Sequence, residues 1–147
     1  MAELIPVLQT AIGPVILMSG VGLLILSMTN RLGRAIDRAR LIGAQLTEVS
    51  AAERPPLEAQ LRILWRRARV IRSAIALSAA SALGAALLVI LIFITAITGL
   101  EASWLVASLF MLCMSSLIVS LVLFIHDINQ SLAALRLELQ THGLGDA

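Results

Sequence analysis

Three stretches of the chain, Leu4 to Asn30, Ser73 to Leu100 and Ala102 to His126, contain no Asp, Glu, Lys or Arg. Each is longer than the ~20 residues that a helix rising ~1.5 Å per residue needs to cross ~30 Å of hydrocarbon. The pattern predicts three transmembrane helices, over residues 4–30, 73–99 and 103–126. From Asn30 the continuous apolar run becomes amphipathic. Leu32, Ile36, Ala39, Gly43 and Leu46 recur at intervals of 4, 3, 4 and 3, Ile42 and Val49 widen the stripe, and Arg31, Arg34 and Arg38 lie on another face. The segment SAAERPP at 50–56 breaks this pattern with small residues, charges and two prolines. Leu57, Leu61, Leu64, Ala68, Ile71 and Ile75 then follow heptad spacing directly into the second span. Pro56 suits a first helical turn, where Glu58 would favour the helix dipole and pair with Arg62. Residues 31–72 therefore read as an antiparallel helical hairpin zipped by two apolar stripes. Beyond the third span Ile128, Leu132, Leu135 and Leu139 recur at 4, 3 and 4, predicting a short amphipathic helix over 127–142 that Gly143 and Gly145 end.

Composition removes the soluble alternative. Of 147 residues 59% are hydrophobic and 14% charged, with a mean hydropathy of +0.97; a soluble domain carries about a quarter charged residues. The expected fold class is an all-α integral membrane protein, a single membrane domain over 1–147. The first apolar run has no basic leader, only Ala2 and Glu3, and exceeds a typical signal-peptide core, so it reads as a retained anchor.

Charge sets the orientation. Ten of the eleven arginines lie between Arg31 and Arg72, against Asp37, Glu48, Glu53 and Glu58, whereas the Gly99 to Ser103 connection carries only Glu101. By the positive-inside rule the 31–72 segment and the C-terminus are cytoplasmic, and the N-terminus and the Gly99 to Ser103 turn are outside. Lys is absent, which fits a GC-rich genome better than selected phosphate recognition. A lone Cys113 excludes an intramolecular disulfide and a Cys-based metal cluster.

The run LQTAIGPVILMSGVGLLILSMTNRLGRAIDR, with Gln9, Pro14, Ser19, Gly20, Gly22, Asn30 and Arg31, and the ending FIHDINQSLAALRLEL resemble a bacterial family of three-span membrane proteins catalogued as a domain of unknown function. The resemblance covers nearly the whole chain. It implies the three-span topology and a bacterial inner-membrane home, and it brings no catalytic residues.

The candidate chemistry is sparse. Gly13, Gly20 and Ser27 recur every seven residues on one face of the first span. With Gln9 and Thr10 they form either a helix-packing face, the favoured reading, or a pore lining. Pro14 either kinks a span that starts near Pro6 or opens the crossing itself. The second span is small in its first half, Ser73 to Ala86, and bulky from Leu87 to Ile94. Ser108, Ser115, Ser116 and Ser120 in the third are expected to bond carbonyls of their own helix. No ionisable residue lies at the centre of a span, which argues against proton relays and ion-coupled transport. The adjacent His126 and Asp127 predict an interfacial cap in which Asp127 meets Arg31 or Arg72, and His142 stands alone in the tail. No catalytic, cofactor-binding or metal site and no enzyme activity are expected.

Arg31, Arg34, Arg38, Arg62, Arg66, Arg69 and Arg72 are candidate contacts for lipid phosphates or another anion, each worth about 1 kcal/mol near an anionic surface. Arg62, Arg66 and Arg69 share a face, Arg67 and Arg72 flank the membrane, and Trp65 sits among them at interfacial depth. Nucleic-acid binding has no motif behind it. The sequence thus predicts a homo-oligomer in membrane lipid. It is either a channel with an Arg-lined cytoplasmic vestibule or a non-conducting scaffold or accessory subunit whose hairpin docks a protein partner.

Overall fold

The computed structural model describes residues 4–50, 53–99 and 101–141, with side chains described for these except at Leu4, Val7, Thr10 and 132–141. They form three α-helices: α1, Leu4–Glu48; α2, Arg54–Thr98; and α3, Ser103–Thr141. The 45 residues of α1 and of α2 correspond to about 68 Å of helix, roughly twice what hydrocarbon requires. All three helices are long and apolar enough to cross a membrane, and only 17%, 17% and 11% of their most apolar windows are buried within the chain. Such apolar surface needs lipid around it, so the chain is a multi-pass membrane protein.

Pro14 lies inside α1, and the helix begins at Leu4. The helix is therefore continuous through Pro14 and does not open at it. At the other end of α1, the N–H of Glu53 bonds the Ser50 carbonyl at 3.1 Å, and α2 opens with prolines in its first turn. The turn after α2 uses Gly99 at φ 68°, its N–H donating to the Thr95 carbonyl at 3.0 Å. Glycine adopts this left-handed cap without the cost a Cβ brings. α3 runs through His126 and Asp127 without a break to Thr141, so the helix expected over 127–142 is its continuation. The amphipathic face expected there falls on side chains outside the described ones, and His142 lies outside the described residues.

α2 is the central helix, packed against α1 on one side and α3 on the other. The buried lines keep a seven-residue interval throughout: Pro14, Val21, Met28, Ala35 and Ile42 in α1; Ile71, Ser78 and Ala85 with Ala74, Ser81 and Leu88 in α2; Cys113, Ser120 and Asp127 in α3. A 3.5-residue average repeat of this kind keeps two helices in register over many turns. Met28, Ile71 and Ala74 make the tightest core, with Leu32, Ile75, Leu123 and Phe124 packed on it.

The predicted α1 stripe holds at Leu32, Ala39, Gly43, Leu46 and Val49, half-buried, and at buried Ile42, but not at Ile36. Ala35 is buried, and Ile36 is 40% exposed. A methyl side chain permits the close approach of α2, whereas the bulkier Ile36 borders the groove beside the seam. On α2 the predicted stripe holds, with Leu57, Leu61, Leu64, Ala68 and Ile75 half-buried and Ile71 buried. The expected Glu58–Arg62 ion pair is not among those formed by the described residues.

The serines of α3 correct a second expectation. Ser108 does bond its own helix, through the Leu105 carbonyl at 3.0 Å. Ser116, however, donates to the Leu77 carbonyl at 2.9 Å and Ser120 to the Ala74 carbonyl at 2.6 Å, both on α2. In return the Ser81 hydroxyl donates to the Cys113 carbonyl at 2.9 Å, and Ser78 and Ser120 share a hydrogen bond of 2.7 Å. Ser115 is exposed. The small first half of α2 brings the backbones close enough for hydroxyls to reach across the interface. Where α2 turns bulky the packing opens: clefts of ≈ 500 and ≈ 260 Å³ flank Pro14, lined by Leu88, Ile92 and Phe110 among others.

Gly84 is buried at this close approach, and a Cβ there would collide with Cys113 Sγ. Gly84→Ala is expected to lower the thermal stability of the detergent-solubilised protein by about 1–3 kcal/mol, the usual cost of an overpacked core. Adding Cys113→Ala should restore most of it, as read by the melting of helical circular dichroism.

Candidate functional site

Charge meets packing where the buried line of α3 reaches Asp127. This residue follows Cys113 and Ser120 at the same interval, so its side chain points at α2 and is 1% exposed, whereas its neighbour His126 is exposed. His126 Nε2 lies 2.9 Å from the amide nitrogen of Gln130, one turn further along α3. The adjacent His and Asp therefore point in different directions.

A buried carboxylate needs partners, because burial strips it of water. Asp127 has two. Arg67 of α2 donates through Nε to Oδ1 at 3.2 Å, and Arg31 of α1 holds its Nη2 at 3.2 Å from Oδ2. The second contact is at ion-pair distance but poorly aligned, so Oδ2 receives no hydrogen bond. It counts as Coulombic attraction alone. Ser131, one turn beyond Asp127, receives an N–H from Arg67 and another from Arg31 at 3.3 Å, while its own hydroxyl donates to the Asp127 carbonyl at 2.9 Å. Arg31 also lies over the Phe124 ring, 5.5 Å from its centroid. One carboxylate thus clasps all three helices where the uncharged runs end.

Of the two expected partners, Arg31 is correct and Arg72 is replaced by Arg67. Arg72, five residues on and so about 140° round α2 from the half-buried Arg67, is exposed. The signal for Arg67 and Ser131 lies in the register of α3: the seven-residue interval from Cys113 through Ser120 fixes which way Asp127 points.

The arginine candidates separate into groups. Arg31, Arg34 and Arg38 share one face of α1 and, with Arg67, Ala35 and Leu64, line a cavity of ≈ 370 Å³. On the other side of the α1/α2 seam a groove of ≈ 490 Å³ is mostly apolar, floored by Leu32, Ala39 and Ala68, with Arg40, Arg69 and Arg72 along it. There Arg69 stacks on the exposed Trp65 ring, 4.1 Å from its centroid. Arg62 and Arg66 are exposed and line neither depression.

Gln9, Gly13, Gly20 and Ser27 are exposed on the isolated chain, and a Cβ at Gly13 or Gly20 would meet nothing within 4 Å. Gly13, Gly20 and Ser27 each precede one of the buried Pro14, Val21 and Met28 and so lie beside the seam. Thr10 has its side chain outside the described ones.

Fold and clasp together define a class: a three-helix multi-pass membrane protein whose first two helices extend well past the apolar spans and are tied to the third by a buried carboxylate. Within that class the chain belongs to the family described as Protein of unknown function (DUF2721), whose model matches residues 11–137. The match takes in most of both stretches that carry the resemblance seen in the sequence. No curated protein and no solved structure matches the chain.

Proposed function

We propose that the protein is a non-conducting scaffold or accessory subunit of the bacterial inner membrane, with its N-terminus outside and the projecting α1/α2 hairpin and C-terminal end of α3 in the cytoplasm. The hairpin is the docking element. The observation that carries this reading is the contrast between the two halves of the molecule. Hydroxyls of Ser78, Ser81, Ser116 and Ser120 within the spans are spent on helix pairing, whereas Arg62 and Arg66 on the hairpin are exposed and outside the ion pairs of the described residues. An exposed excess of positive charge steers and selects a complementary acidic surface.

Crosslinking in native membranes followed by affinity capture of the full chain tests this. A partner recovered in fixed proportion with the wild type should fall about tenfold with Arg62→Glu/Arg66→Glu, as for loss of two charge contacts. Recovery of the chain alone from wild-type membranes would overturn the docking role.

A second reading is a homo-oligomeric channel, favoured by the open face at Gly13, Gly20 and Ser27, whose small residues suit contact with another copy. Planar-bilayer recording decides it. Silence under varied voltage, pH and tension, with a lipid-filled oligomer axis, would sink conduction.

A further inference from the structure

We infer that the cavity lined by Arg31, Arg34, Arg38 and Arg67 is a binding site for a phosphate-bearing anion, independently of any protein docked on the hairpin. Four guanidinium groups border one space of ≈ 370 Å³, over a floor that includes Ala35 and Leu64. Three come from one face of α1, and the fourth enters from α2. Two are fixed in place: Asp127 and Ser131 hold Arg31 and Arg67 from the side of α3. The other two, Arg34 and Arg38, take part in no ion pair among the described residues. The cavity is thus bordered by four positive charges, with one carboxylate behind them.

That arrangement selects the ligand's chemistry. Planar guanidinium forks match phosphate oxygens in bidentate pairs, and partly immobilised forks lose less freedom when they bind. The volume exceeds what one inorganic phosphate fills and has room for a phosphodiester with its attached alcohol. Arg31 directly follows the uncharged run of α1, which sets the mouth of the site at the depth of lipid headgroups. The phosphate comes either from an anionic phospholipid or from a soluble phosphate compound, and the two sources are separable.

The test uses the full chain, purified in neutral detergent and stripped of lipid. Phosphatidylglycerol, phosphatidylcholine and pyrophosphate are added separately, and bound molecules are counted by native mass spectrometry. Phosphatidylglycerol should be retained over phosphatidylcholine, and Arg34→Gln/Arg38→Gln should weaken its retention roughly tenfold or more, while Arg62→Gln/Arg66→Gln leaves it unchanged. Binding of pyrophosphate with the same variant pattern, and no preference between the two lipids, assigns the site to a soluble phosphate. In the unmodified protein the bound ligand should also slow phenylglyoxal labelling of Arg34 and Arg38 relative to Arg62 and Arg66. Equal weakening by both double variants, or none by Arg34→Gln/Arg38→Gln, would overturn the site.

Discussion

Replacing Asp127 with alanine is expected to destabilise the folded chain by about 2–3 kcal/mol, a larger loss than from any single arginine between Arg31 and Arg72. Removing one partner of a buried ion pair costs about 3–5 kcal/mol, because the remaining charge stays desolvated. Here the orphaned groups are Arg31 and Arg67, whose side chains keep 23% and 26% of their exposure, so water recovers part of the loss. Arg67→Gln alone should cost less, since Asp127 retains Arg31. The double variant should cost less than the sum of the singles, by on the order of 1 kcal/mol, because both changes break one contact. Thermal unfolding in detergent, followed by tryptophan fluorescence of Trp65 and Trp104, provides all three values. Strict additivity would mean that Asp127 and Arg67 are not coupled.

Ser120 separates two physical effects at one position. Its hydroxyl meets the Ala74 carbonyl and Ser78, and it is fully buried. Ser120→Ala removes both hydrogen bonds and should cost only about 1 kcal/mol, at an average of about 0.6 kcal/mol for each interhelical bond in a membrane, because the separated helices find other partners. Ser120→Leu introduces a branched side chain into a seam built for a hydroxymethyl group. It should cost about 1–3 kcal/mol or separate α3 from α2 altogether. The readout is protease sensitivity of the Gly99 to Ser103 turn together with the thermal midpoint. A larger loss from the alanine variant than from the leucine one would show that hydrogen bonding, not close approach, holds α3.

The three helices were legible because runs without charge are unambiguous at this length, and the α2 stripe because its heptad of Leu and Ile has one apolar solution. The α1 stripe was legible too, except at Ile36. At one position apolarity favours the larger side chain, Ile36, whereas the close approach of α2 takes the methyl of Ala35. The hydroxyl pattern of α3 was hidden: a serine that bonds its own helix and one that reaches the next look alike until the neighbouring small residues are placed. Of the site, the pairing of Asp127 with Arg31 was visible from their common depth. The preference for Arg67 over Arg72 depends on the rotation of α2, which depth alone does not fix.

Each helix packs on its neighbour in the chain, α1 on α2 and α2 on α3. During synthesis α1 can therefore find its partner as soon as α2 has inserted. The clasp follows a different timetable, because the contact from Arg31 to Ser131 joins residues 100 apart. Until α3 arrives, two arginines at the end of the spans have no carboxylate between them. Asp127 is translated last of the three charged residues, so the two arginines gain their shared carboxylate only when α3 is in place.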